Sequence, residues 1–150
     1  MSKKLESTLV GVAGEYLAAG ELSLRGYIAS ITLRNSRGID IIASNSDGSK
    51  SISFQVKTNS DGGKSWILSK KSEEYYSNNH YYIFVALGNT NERPSFHIVP
   101  SKIVADYTFN DHANWLKGKK RDGSFRKDTS MRKFNDHENK YLEAWQRIKL

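Results

Sequence analysis

Three polar residues that could act together, Asp40, Gln55 and Lys57, lie in two short apolar segments in the first half of the chain. Apolar and polar side chains alternate over residues 51–57, and this period of two predicts a β-strand. In such a strand Gln55 and Lys57 share one face, opposite the apolar set. A carboxylate and an amide can bind a hard cation through oxygen, and an ammonium can stabilise negative charge on a substrate.

A second strand is predicted over residues 38–43, with Asp40 between apolar neighbours. Asp47-Gly48 in the connection is typical of a tight turn, so the two strands form a hairpin. An acid, an amide and a lysine then converge on one patch, which costs free energy in a half-buried hairpin unless the patch serves a site. The alternative is an Asp40–Lys57 ion pair between adjacent strands.

Upstream of the hairpin, apolar residues recur at helical spacing over residues 5–24, and Gly26 is a natural C-terminal stop. Gly11 and Gly14 lie inside this helix, where each glycine costs about 1 kcal/mol against alanine. We therefore expect them to allow close packing on the sheet, which holds Glu15 near the strands. The alternative is an ordinary solvated glutamate.

The order of these residues resembles the PD-(D/E)XK nuclease superfamily, which includes restriction endonucleases and Holliday junction resolvases. Glu15 on a first helix is followed by Asp40, and then by Gln55 and Lys57 after a hairpin. The resemblance covers roughly residues 9–100. It implies an α/β, restriction-endonuclease-like fold, with a mixed central sheet of four or five strands flanked by helices.

Two positions depart from the usual motif of this superfamily. Ile39 precedes Asp40 where proline is common, and Gln55 stands where the motif has Asp or Glu. The chain is therefore similar to a glutamine variant of the motif, which lowers the negative charge of the expected metal site.

The resemblance implies a metal-dependent nuclease that hydrolyses phosphodiester bonds. Its catalytic residues would be Glu15, Asp40, Gln55 and Lys57. Asp40, the Gln55 amide oxygen, the main-chain carbonyl of Val56 and Glu15 would hold Mg²⁺, with Mn²⁺ as a second possibility. Lys57 would orient the attacking water or stabilise charge on the phosphorus centre.

The composition limits the number of domains, the location and the partners that we expect. The chain has 150 residues, no cysteine and a formal net charge of +7. We expect one domain over residues 1–150, a cytoplasmic location and a polyanionic partner. No apolar run approaches the ~18 residues of a membrane helix, so no membrane partner is predicted. Many members of the resembling superfamily pair, which makes a homodimer plausible.

Further elements follow from hydrophobic pattern and turn residues. We predict strands over residues 27–33, 65–68, 81–87 and 95–99, the third central and the fourth last. We predict helices over 69–79, 100–107 and 138–148, the second with Ser101 as N-cap.

Residues 117–133 carry a strong excess of positive charge, and Gly118 and Gly123 favour a mobile loop there. A loop of this kind can contact phosphates, although a solvated surface would have the same composition. The predicted nucleic-acid contacts are Arg34, Arg37, Lys70, Lys71, Lys119, Lys120, Arg121 and Arg126.

Three functions stay open at this stage. The first is a nuclease, with DNA preferred over RNA. The second is a catalytically weak or inactive nucleic-acid-binding module that retains the nuclease fold, which the Gln55 variant favours. The third is a protein whose basic loop meets an acidic partner protein. A salt-sensitive affinity for nucleic acid would separate the first two from the third.

Overall fold

A five-stranded sheet lies at the centre of the computed structural model, which describes residues 4–33 and 38–150. In chain order the elements are α1 (Ser7–Leu24), β1 (Ile28–Ile31), β2 (Ile41–Ser44), β3 (Ser51–Asn59), β4 (Ser65–Ser69), a 3-10 turn (Lys70–Glu73), β5 (His80–Ala86), β6 (Ser95–Pro100), α2 (Ser101–Lys117), β7 (Met131–Asn135) and a second 3-10 turn (Trp145–Arg147).

The strand order of the central sheet is β1-β2-β3-β5-β6. β3 and β5 run parallel, and the other neighbouring strands are antiparallel. β4 and β7 form a separate antiparallel pair. This mixed sheet flanked by helices confirms the predicted fold class.

The sheet is covered on both faces, and β5 shows this most clearly. Ile83 belongs to a core cluster that includes Leu22 of α1. Phe84, on the opposite face of the sheet, packs with Val104 of α2 and Phe134 of β7. Burial on both faces explains why β5 reads as a continuous apolar run rather than an alternating one.

β3 has the predicted alternation and continues two residues beyond the predicted range of 51–57, to Asn59. Phe54 and Val56 are buried in the cluster beneath α1, whereas Gln55 and Lys57 are half-buried on the opposite face. The period of two therefore places the two polar side chains together, as the sequence predicts.

α1 confirms the first predicted helix, and its two glycines differ in their surroundings. A Cβ atom at Gly14 would lie only 1.8 Å from the hydroxyl oxygen of Thr58 on β3. A Cβ atom at Gly11 would meet no atom within 4 Å, so the prediction of close packing is right for Gly14 and wrong for Gly11. Gly14 thus sets how closely α1 approaches β3.

The segments around α2 correct three expectations. The helix predicted over 69–79 is only the 3-10 turn, and the helix predicted over 100–107 continues to Lys117. Ser101 does not cap α2, because its hydroxyl donates to the carbonyl of Ser77 and ties the preceding loop down. In the part of the chain that the structure describes, no helix is both long and apolar enough to cross a membrane.

The helix predicted over residues 138–148 is wrong, since this stretch consists of turns and the second 3-10 turn. Asn139 and Glu143 have φ angles of 57° and 51°, which a right-handed helix does not allow. The Asp136 carboxylate accepts the N–H of Tyr141 at 3.0 Å. The backbones of Tyr141 and Glu143 then bond to β6 at 3.0 and 2.7 Å. Backbone pairing with edge strand β6 therefore takes the place of the predicted helix.

Residues 118–130 lie between α2 and β7 and contain no helix or strand, so the prediction of a loop is confirmed, while its mobility stays a prediction. Lys119 pairs with Phe125 in a small hairpin, and β7 begins directly after this loop. Arg126 donates to the Trp115 carbonyl at 2.7 Å and lies over the Trp115 ring. These contacts connect the segment to the end of α2, and β7 shows that β6 is not the last strand.

We expect Gly14→Ala to destabilise the protein by about 1 to 3 kcal/mol, because the new methyl group overlaps a β-branched side chain on β3. Gly11→Ala is the matched control on the same helix. It should stabilise by roughly 0.5 to 1 kcal/mol, since the space there is open and alanine favours the helix. Denaturant unfolding measures both values, and equal effects at the two positions would contradict the close approach at Gly14.

Candidate active site

Asp40 stands at the point where β2 separates from β3. Its N–H donates to the Phe54 carbonyl at 2.8 Å, and its Oδ2 atom accepts the N–H of Val56 at 2.8 Å. Ile41 pairs with Phe54, and the Asp40 N–H bonds to the carbonyl of that same residue, so Asp40 and Ile41 both face Phe54 where the regular pairing ends. The Asp40 side chain therefore accepts the hydrogen bond from the Val56 N–H. A backbone carbonyl of β2 would accept it if the strand pairing continued.

The same geometry orients the Val56 carbonyl. The N–H and C=O groups of one strand residue point to the same side of the strand. Because the Val56 N–H points toward Asp40, its carbonyl points to that side as well. The backbone oxygen and the Asp40 carboxylate therefore lie on one side of β3.

The electrostatics of Asp40 reflect its half-buried position. Burial raises the pKa of this carboxyl above its ordinary value of 3.8, while the Val56 N–H and the Lys57 ammonium act in the opposite direction. Tyr82 is a third titratable residue near Asp40 and Lys57. Burial, the Asp40 charge and Tyr75 together raise the pKa of Tyr82 to about 12. Asp40, Lys57 and Tyr82 are thus close enough to influence one another.

A cleft of about 690 Å³ opens beside these residues, on the Gln55 and Lys57 face of the sheet. The Gln55 Oε1 atom is 3.6 Å from the position of a Cβ atom built on Gly38. Gly38 has a φ of 59°, a value that favours glycine. The cleft is lined by Gly38, Gln55, Lys57, Leu68, Ser69, Lys71, Ser72, Glu74, Tyr75 and Tyr82.

Glu15 is half-buried on α1, directly after the close approach of Gly14 to Thr58. That approach brings its helix turn next to β3, on the face of the sheet opposite the Gln55 and Lys57 side chains. Among the described residues, no three His, Cys, Asp or Glu side chains come together as a metal-binding group. The predicted set has only two carboxylates, Glu15 and Asp40, and depends on amide and carbonyl oxygens for the rest.

The predicted nucleic-acid contacts fall into separate groups. Lys71 lines the cleft and Lys70 precedes it on the 3-10 turn, whereas Lys119, Lys120 and Arg121 lie on the small hairpin beyond α2. Arg126 holds the end of α2 through Trp115. Arg34 and Arg37 lie outside the described residues. The basic hairpin (119–125) and the cleft are therefore two distinct positively charged surfaces.

Sequence reasoning missed the aromatic residues of the cleft. Tyr82 lies beside Gln55 in the parallel register of β3 and β5. It stands inside an apolar run that predicts a buried strand and gives no hint of a cleft. The sequence pattern predicts a helix at Tyr75, whereas this residue follows a 3-10 turn and lines the cleft wall. The parallel pairing was the missing information, because it alone places Tyr82 next to the motif.

Neither a protein-family model nor a curated protein sequence matches the chain. Its fold is similar to that of a bacterial homing endonuclease, with a TM-score of 0.56 and 13% sequence identity. That alignment covers 96% of this chain and 93% of the endonuclease. A Holliday junction resolvase from the archaeon Archaeoglobus fulgidus aligns with a TM-score of 0.49 and 14% identity, over 84% of each chain. The first likeness shows that the chain has a restriction-endonuclease-like nuclease fold.

We expect Asp40→Asn to raise the free energy of unfolding by about 0.5 to 1 kcal/mol at pH 7. The expected gain is small because solvent screens the charge of a half-exposed carboxylate. The raised pKa means that the folded state holds this proton more tightly than the unfolded chain. Ionisation therefore opposes folding, and stability is lost as the pH rises from 3.8 through the folded-state pKa. Urea unfolding of both proteins between about pH 3 and 7, a range that includes the ordinary pKa of Asp, measures the difference.

Asp47→Asn is the control with the opposite sign. Hydrogen bonds from Ser49 lower the pKa of Asp47, so its ionisation favours the fold and is fully effective above its ordinary pKa. This variant should gain no stability at pH 7. A gain as large as that of Asp40→Asn would assign the effect to overall charge rather than to burial of Asp40.

Proposed function

We propose that the protein is a metal-dependent nuclease that hydrolyses phosphodiester bonds. One observation carries the proposal: the Val56 N–H holds the Asp40 carboxylate against β3, the strand whose Gln55 and Lys57 side chains line an open cleft. The nuclease fold supports it, and the glutamine variant of the PD-(D/E)XK motif accounts for the residue types.

The donor set suits a hard divalent cation such as Mg²⁺ or Mn²⁺. The Asp40 carboxylate, the Gln55 amide and the Val56 carbonyl are all oxygen donors, and Glu15 would add a second carboxylate. Partial burial disfavours the Asp40 charge, and a nearby cation would offset that penalty. When bound, the metal supplies Lewis-acid stabilisation of charge on the phosphoryl oxygens.

The side chains have separate roles in this proposal. Lys57 shares its strand face with Gln55 and is close enough to Asp40 to lower the pKa of that carboxyl. Its ammonium would orient the attacking water or stabilise the negative charge that grows on the phosphate. Gly14 keeps α1 against Thr58, the residue after Lys57, and so holds Glu15 close to β3.

We infer that the substrate is DNA in preference to RNA, because most families with this motif act on DNA. A net charge of +7 and two positive surfaces, the cleft and the basic hairpin, support a polyanionic partner. A cytoplasmic location and a homodimer complete the proposal. Ile28 and Leu33 are exposed at and just beyond edge strand β1, where a second copy could pair.

A nucleic-acid-binding module without catalysis is the second candidate. Gln55 favours it, since an amide replaces a carboxylate in a site that has at most two acids. The retention of Asp40, Lys57 and Glu15 favours the nuclease. Cleavage, rather than binding, separates the two functions.

We expect Lys57→Ala to reduce cleavage by about 100- to 1,000-fold, because it removes a cation from the charge that develops in the transition state. Purified protein would be incubated with plasmid, single-stranded DNA, branched DNA and tRNA in Mg²⁺ or Mn²⁺. Asp40→Ala should lose activity on the same substrates, while affinity for uncut substrate in EDTA should change little for Lys57→Ala.

Lys50→Ala is the matched control, because Lys50 is an exposed lysine in the turn between β2 and β3. It should cleave at the wild-type rate. Full activity of Lys57→Ala would refute the catalytic assignment. Salt-sensitive binding without cleavage by the unaltered protein would instead establish the binding module.

Replacing Lys119, Lys120 and Arg121 together with Gln should weaken binding and flatten its salt dependence. Each lost phosphate contact is expected to reduce the slope of log K against log salt by about 1. Fluorescence anisotropy with labelled duplex DNA at several salt concentrations measures this slope.

The triple replacement of Lys50, Lys140 and Lys149 with Gln is the control, since it removes the same charge from exposed positions elsewhere. It should leave the slope closer to the wild-type value. An equal slope change in the two triple variants would mean that net charge, and not the basic hairpin, determines the affinity.

A further inference from the structure

The wall of the cleft next to the Asp40 site is aromatic and basic. Tyr75 and Tyr82 line it together with Lys57 and Lys71, and Glu74 is the one carboxylate among the lining residues. The volume of about 690 Å³ is in the range of small-ligand sites, roughly 300 to 1,000 Å³. The cleft can therefore receive a flat, uncharged group attached to a phosphate.

Tyr75 is exposed at the cleft yet is held in position. Its side chain is 42% exposed, and its ring atoms lie 3.4 and 3.5 Å from the Cβ position of Gly38. On another side the His80 ring meets it edge to face, with centroids 4.8 Å apart. His80 is itself fixed by Ser53, whose hydroxyl is 2.7 Å from its Nδ1 atom. A ring fixed in this way offers a preformed surface at low entropic cost.

Tyr82 lies deeper and joins the cleft to the site. The residue is only 1% exposed, and its ring stacks on Phe84 with the planes 10° apart. Tyr82 lies beside Gln55 in the strand register, and the Gln55 Oε1 atom and the Tyr75 ring both approach the Cβ position of Gly38, at 3.6 and 3.4 Å. A group that rests on Tyr75 is therefore close to Gln55 and to the proposed site of cleavage.

A planar base is the group that these features fit. Every nucleobase can stack on an aromatic ring, and such stacking tolerates any sequence. Inside a duplex both faces of a base are covered by its neighbours, so only an unpaired base can reach Tyr75. Lys71, on the same wall, can neutralise the phosphate attached to that base.

On this basis the structure assigns to the Tyr75 cleft the binding of an unpaired nucleotide next to the scissile phosphate. The inference rests on the proposed nuclease function and names its substrate class: nucleic acid with a single-stranded segment, a flap or an unpaired end. The shared chemistry is the unstacked base of either DNA or RNA. Fully paired, blunt-ended duplex is then a poor ligand for the cleft.

The test measures binding in EDTA, so that it does not depend on cleavage. Labelled single-stranded DNA, single-stranded RNA, DNA with a short flap, and blunt duplex are titrated with wild-type protein, Tyr75→Ala, Tyr75→Phe and Tyr76→Ala. Tyr76 is the matched control, because it is 46% exposed but lies against Lys102 of α2 rather than in the cleft. Oligonucleotides with 5-iodouracil, cross-linked to wild-type protein by light and mapped by mass spectrometry, give a readout without any mutation.

Wild-type protein should bind unpaired DNA or RNA more tightly than blunt duplex, and the better of the two single strands identifies the source of the base. Tyr75→Ala should lose roughly tenfold or more of its affinity for the unpaired ligands, the scale of one stacked base. Tyr75→Phe should retain the preference, Tyr76→Ala should behave as wild type, and the cross-link should map to Tyr75.

Equal affinity for paired and unpaired ligands would overturn the inference, as would a Tyr75→Ala variant with an unchanged preference or a cross-link elsewhere. If Asp40-dependent cleavage were still observed in that case, the nuclease function would stand and only the cleft assignment would fall. If no nucleic acid were bound or cut at all, both would fall.

Discussion

The hydrogen bond from the Val56 N–H to the Asp40 carboxylate is the interaction on which the candidate site depends. Up to Ile41, β2 pairs with β3 through backbone groups. Beyond that residue the strands must separate, and Val56 would lose its partner. The Asp40 side chain replaces the missing backbone acceptor, which satisfies the donor and fixes the carboxylate at the same time. This replacement lets the chain just before β2 separate from β3, beside the cleft.

The rest of the fold supplies the stability that the half-buried Asp40 carboxylate does not. Partial burial disfavours the Asp40 charge, and the Val56 N–H and Lys57 recover only part of that penalty. Stability comes from the apolar layers on the two faces of β5, and the layer beneath α2 reaches the cleft through Leu68 and Tyr82. Gly14 adds a constraint from the far side of the sheet, since α1 lies so close to Thr58 that no side chain fits between them. The cleft thus shares part of its wall with the apolar core.

The parts that the sequence predicted well are those determined by local patterns. Alternation over residues 51–57 places Gln55 and Lys57 on one face whatever the rest of the chain does. The parts that it predicted poorly are determined by distant partners. The apolar spacing after Asp136 resembles a helix, yet this carboxylate and the free edge of β6 hold the chain in turns. Tyr82 joins the site through parallel pairing with β3, which no local pattern encodes.

Gln55 is explained by the charge of the site as a whole. A glutamate at this position would place a second carboxylate one residue before Val56, whose N–H binds Asp40, and like charges in a half-buried setting raise each other's pKa. The amide keeps an oxygen donor and avoids that repulsion, but it leaves Asp40 and Lys57 nearly balanced in charge. Mg²⁺ is commonly held by one or two carboxylates together with substrate phosphates. In the proposed nuclease, the phosphate of the substrate would complete the attraction for the metal, so metal binding would depend on bound substrate.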